Sequence, residues 1–233
     1  MASEAGDKYR SYLSEEEKKN TKWRFGPPNY DVVNKLFEEG RSKVWEIGSI
    51  EEKVQRLVKT WEMEIVHKAD PNEFKSLDGK EFRISVNGKK PLTLEDVGRI
   101  GGSYNMFLQT SLPEKLRLYD PDEESRESSM EAFLTTFPRG FAIEILEVYS
   151  GPPVIAYKFR HWGVMEGPFK GHAPTGETLE FIGTGIFKLN DESKIVKVEL
   201  FYERGELLSG LIKGKTIKES ASDKSSSCPF LAK

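Results

Sequence analysis

His161-Trp162-Gly163, then Phe169-Lys170-Gly171-His172-Ala173-Pro174-Thr175-Gly176, then Phe201-Tyr202-Glu203-Arg204-Gly205 punctuate the part of the chain that decides the fold. Around them, 141–149, 154–160, 178–189 and 195–202 are β-branched and aromatic runs separated by turn chemistry, which predicts four strands. Ser150-Gly151-Pro152-Pro153 and 189–193 are short enough to join antiparallel neighbours, so the strands read as a curved meander.

The chain upstream has a helical rhythm. Val33, Leu36 and Phe37 predict a helix over 31–40 stopped at Gly40. Ser49 and Glu52 have capping-box spacing, and Ile50, Val54, Leu57, Val58, Trp61 and Ile65 then follow one face. Lys80 to Val86, between Asp78-Gly79 and Asn87-Gly88, predicts a peripheral strand or hairpin. Thr93 and Asp96 cap another helix, and Met130, Phe133, Leu134 and Phe137 mark a fourth, closed by Pro138. Helices followed by strands predict an α+β fold.

A length of 233 residues, 37% hydrophobic and 31% charged, suits one globular domain with polar extensions. The expected division is a polar N-terminal arm over 1–22, a folded domain over 23–214 and a disordered tail over 215–233. A net charge of −3 with interspersed signs offers phosphate backbones no attraction, so nucleic acid is not an expected partner. No run is long and apolar enough for a signal peptide or a bilayer span, which predicts a soluble, cytoplasmic protein. Cys228 is the single cysteine, sits in the tail and has no internal partner.

Asp7-Lys8-Tyr9-Arg10-Ser11-Tyr12, Lys59-Thr60-Trp61-Glu62-Met63-Glu64, 137–143, 159–163 and the Phe169-x-Gly171-x-x-Pro174-Thr175-Gly176 segment form a distinctive set. Together they resemble plant pathogen-related proteins of the SnoaL-like group, in the nuclear-transport-factor-two-like (cystatin-like) superfamily. The resemblance implies a cone-shaped curved antiparallel sheet wrapped around helices with a pocket at its open end, and a homodimer through the sheet's outer face. In similar SnoaL-type polyketide cyclases an aspartate at the place of Glu203 acts as general acid and base.

Glu203 and His161 are therefore the expected catalytic pair, with Tyr157, Arg160, Trp162, His172 and Phe201 as ligand-binding residues. A desolvated carboxylate gains proton affinity, and an imidazole can donate to a developing oxyanion. Glu203 shares strand parity with Lys197 and Glu199 and adjoins Arg204, so a solvated acid at a strand end is the competing reading. Gly183 and Gly185, two apart on one strand face, suit a bend or a close backbone approach.

Three histidines scattered over His67, His161 and His172 make no metal signature, and no cofactor fingerprint is present, so neither is expected. Gly210 to Thr216 lacks the first glycine of a phosphate loop, because Ser209 stands there. The expected function is defence-related binding of a small hydrophobic metabolite. The alternatives are a cofactor-independent isomerase or cyclase, and an accessory partner of a biosynthetic enzyme.

Overall fold

A computed structural model describes residues 6–217. Cys228 and the rest of 218–233 lie outside the described residues. The four predicted strands are β2 (Ala142–Ser150), β3 (Val154–Val164), β4 (Thr178–Leu189) and β5 (Ile195–Tyr202), each antiparallel to the next. The peripheral strand β1 (Arg83–Val86) joins parallel to β5, so the curved five-stranded sheet is mixed, in the order β1-β5-β4-β3-β2. Register shifts in β2 at Ile145/Glu147 and Val148/Ser150 accentuate its twist.

The helices are α1 (Glu15–Asn20), α2 (Asp31–Gly40), α3 (Ile50–His67), α4 (Leu94–Arg99), α5 (Ser103–Phe107), α6 (Arg126–Thr136) and α7 (Arg204–Leu211). Ser49 caps α3 by accepting from the Glu52 N–H, and Thr93 and Asp96 form the expected reciprocal box on α4. The core lies between the sheet's inner face and the helices. Val54, Val58, Trp61 and Ile65 of α3 pack with Tyr157, Phe159, Phe181, Phe187, Val198 and Leu200 of the strands.

Gly183 and Gly185 are the close approach their spacing predicts. A methyl at Gly185 would stand 2.3 Å from Cζ of Tyr157, and one at Gly183 2.5 Å from Cζ of Phe159. Each glycine faces its aromatic partner directly across β3 and β4, so the rings cover the strand that lacks side chains.

The N-terminal segment departs from the solvated arm expected over 1–22. Leu13 and Tyr9 are buried, Arg10 donates to Asn34 and Asp7, and the Ser11 N–H donates to Thr60 Oγ1 on α3. Its apolar residues are too few to show a periodicity, yet Tyr9 and Leu13 are buried, Tyr9 edge-on to Phe37 of α2, while Tyr12 stays exposed. At the other end of α3, Glu64 is fully buried and accepts from Lys68 Nζ, the Lys75 and Ser76 N–H groups and Ser76 Oγ. With every lone-pair direction engaged, this carboxylate pins the last turns of α3 in place.

Candidate functional site

Gln55, Lys59 and Glu62 recur along α3 at helical spacing, beside its apolar stripe. Such a polar row ordinarily faces water. Here it faces protein: Gln55 Oε1 accepts from the Ile145 N–H of β2, and Lys59 is only 1% exposed. The Lys59 ammonium lies 3.4 Å from the centroid of the Phe37 ring and 5.3 Å from that of Tyr9. Burial, and the nearby guanidiniums of Arg10 and Arg41, hold its pKa well below the ordinary value.

Glu62 Oε1 lies 3.7 Å from His161 Nε2 on β3. The two side chains retain 25% and 19% of their accessible surface, yet burial is the largest influence on both. The pair is thus half-buried where α3 packs on β3. Burial raises the Glu62 carboxyl, with Arg10 and Lys59 opposing it. Burial takes His161 down to about 3, with Lys59 acting the same way and the Phe141 carbonyl opposing.

His161 Nε2 is 3.2 Å from the Phe141 carbonyl oxygen. A carbonyl only accepts, so Nε2 carries the proton of the neutral ring and Nδ1 keeps its lone pair. The oxyanion-donor role expected of His161 is thus altered: its N–H is engaged by the backbone, and the ring offers an acceptor. Around the pair stand Phe141 at 4.6 Å and Phe181 at 5.4 Å from the imidazole centroid, with Tyr202 4.9 Å beyond Phe181. The charge of Glu62 also reaches Tyr104, whose ring stacks on Phe133 at 4.2 Å.

The remaining expected site residues do not gather here. Tyr157 is on the inner face but fully buried against Gly185. Trp162 faces the opposite side, stacked on Phe37 beneath α2, where a methyl at Gly40 would come 2.8 Å from its Nε1. Arg160 lies over Trp162 and pairs with Glu144 and Glu180. Phe201 is 41% exposed, and His172 Nδ1 lies 3.2 Å from the Gly214 carbonyl oxygen in a turn.

Glu203 is exposed and caps α7, accepting from the Gly205 N–H at 2.7 Å. The strand residue before it, Tyr202, is the one that presents a ring to the recess, so the structure separates Glu203 from His161. The helix it caps is one that Gly205 and Gly210 conceal in the sequence. Among the described residues, no three His, Cys, Asp or Glu side chains converge as a metal site requires.

No family model matches the chain. It is 55% identical to a pathogen-related protein of Hordeum vulgare over 233 residues, covering 99% of this chain and 97% of the relative. The chain belongs to the pathogen-related protein family. Solved structures similar to this family member include a SnoaL-like polyketide cyclase candidate from Jannaschia sp. CCS1, at 13% identity and a TM-score of 0.40, covering 74% of this chain and all of the other. Another is an NTF2-like protein of Burkholderia thailandensis, at 9% identity and a TM-score of 0.35, covering 61% and 85%. Among the described residues no helix is long and apolar enough to cross a membrane.

Proposed function

We propose that this pathogen-related protein binds a small, largely apolar, ring-bearing metabolite in the recess between α3 and β3, as part of a response to pathogens. The observation that carries the reading is the Glu62–His161 pair at 3.7 Å, set among Phe141, Phe181 and Tyr202. Aromatic walls with a few fixed polar groups favour an apolar guest and orient it. The name of the barley relative supports the defence setting.

Proton exchange with the guest, as in a cofactor-independent isomerase or cyclase, is the second reading. A carboxyl whose proton affinity is raised, next to a neutral imidazole with a free lone pair, suits it. The role moves from Glu203 to Glu62, because Glu203 is an exposed helix cap. A homodimer through the outer sheet face, where Ile182 and Phe201 are exposed, and a cytoplasmic setting complete the proposal.

Incubation with plant metabolite extract, followed by mass spectrometry of retained and converted compounds, tests both readings. The intact protein is expected to retain an apolar compound. Glu62→Gln should keep it but lose any turnover, while Glu203→Gln behaves as wild type. Retention of nothing sinks the binding reading, and loss of turnover in Glu203→Gln but not in Glu62→Gln sinks the assignment of the acid.

A further inference from the structure

A cleft of about 700 Å³ opens between the turn that joins α4 to α5 and the segment that leads into α6. Glu62 and His161 line no part of it. Its walls are tied together by Asn105, which is fully buried: Nδ2 donates to the Ile100 and Glu124 carbonyls, and Oδ1 accepts from the Tyr119 hydroxyl. Gly101 permits the tie, because a methyl there would stand 2.8 Å from the Glu124 carbonyl oxygen. Ile100 and Pro121 are the apolar side chains of the lining; the rest are glycines or polar residues, Gln109 and Thr110 among them. An apolar guest would strip water from those polar groups and give nothing back, whereas a hydroxylated guest replaces the lost hydrogen bonds.

The arginines of the lining are paired with one exception. Arg99 meets Glu95 and Asp96, and Arg117 meets Asp120 and Asp122. Arg126, the first residue of α6, has no carboxylate within salt-bridge distance among the described residues, and Glu127 favours its charge only from farther off. Its guanidinium is nevertheless held in place. A Cβ on Gly102 would come 2.8 Å from Nη1 and 3.0 Å from Cζ, so the fork lies against backbone that presents no side chain, and a φ of 92° keeps that position for glycine. Burial works against the charge of Arg126, and an anion at the fork offsets that cost. Arg99 and Arg117 each meet two carboxylates, which leaves their surroundings anionic. One acid group is therefore accommodated at Arg126, and a second is repelled.

We propose that the cleft binds a hydroxylated monocarboxylic acid of the sugar-acid class, its carboxylate taken by the Arg126 fork and its hydroxyls by the polar lining beside Gln109 and Thr110. A guanidinium matches a carboxylate through two parallel N–H donors. This site lies apart from the Glu62–His161 recess, and neither reading depends on the other.

Titration of the isotope-labelled full chain, followed by backbone amide NMR shifts, compares glucuronate, glucose and glucose 6-phosphate at constant ionic strength; the three differ at one carbon. Glucuronate is expected to shift the amides of Gly101, Gly102 and Arg126 and to bind about tenfold or more tightly than glucose, with glucose 6-phosphate weaker than glucuronate. Arg126→Gln should bring glucuronate down to the affinity of glucose, and Arg83→Gln, which does not line the cleft, should change nothing. Arg126→Lys keeps the charge without the fork; it should give an intermediate preference, and it serves if the glutamine variant does not fold. Equal affinity for glucuronate and glucose overturns the assignment of Arg126, as does a preference for glucuronate that survives Arg126→Gln. Glucose 6-phosphate binding as tightly as glucuronate overturns the single-acid guest. Shifts confined to residues outside the cleft, or binding of none of the three at millimolar concentration, overturn the site.

Discussion

Glu62 of α3 and His161 of β3 meet at 3.7 Å inside the concave side of the sheet, and each shifts away from its charged form. At neutral pH His161 is an uncharged ring whose Nε2–H is engaged by the Phe141 carbonyl. Its NMR ring signals should therefore stay constant from pH 8 to 5. A titration near 6.5, the ordinary value, would contradict the enclosed recess.

Stability should fall as the solution is acidified below about pH 6.5. His161, down to about 3, and His67, down to about 4 by burial, both stay neutral in the fold after the unfolded chain has taken up protons. The unfolded state then binds more protons, so unfolding free energy declines with falling pH, by at most about 1.4 kcal/mol per pH unit for each histidine. Glu62 contributes the opposite sign just above pH 4.5, because its raised carboxyl binds a proton in the fold first. Urea midpoints between pH 7 and 4.5 check this: His161→Gln should flatten the slope, and an unchanged slope refutes it.

Gly185→Ala should destabilise the protein by about 1–3 kcal/mol through overpacking against Tyr157. Pairing it with Tyr157→Leu should restore part of the loss, measurable as a non-additive double-mutant cycle. Strict additivity would mean that the ring and the glycine do not meet.

Trp162→Ala should cost about 3–5 kcal/mol, since the indole is 2% exposed between α2 and the sheet. Because this packing lies on the face opposite His161, ligand affinity below the lowered melting temperature should not change. Loss of affinity in a folded variant would return Trp162 to the binding site.

Removing residues 1–13 should uncover Lys59, whose ammonium lies against the rings of Tyr9 and Phe37. An amine-reactive reagent at pH 8 is expected to modify this lysine rapidly in the truncated chain and slowly in the intact one. Equal rates would show that the segment does not cover it.

Local chemistry made much of the scaffold readable. Ser49 and Thr93 cap helices because a side-chain oxygen satisfies backbone donors within the same turn, and the strands of 142–202 announce themselves by residue type and short turns. Gly183 and Gly185 marked a close approach because absent side chains leave room for something else. The sequence alone therefore determined the α+β class, the approximate places of the strands and the stretches that carry the family likeness, although β3 runs on to Val164 where the residue types predicted an end at Arg160. Only the tertiary structure decided the site. Whether Glu62 or Glu203 is enclosed depends on which segments cover α3 and on where β5 gives way to α7, contacts made by residues far apart in the chain. A charged residue beside an apolar stripe reads as solvent-facing until such a cover exists, since burial is a property of what packs against it.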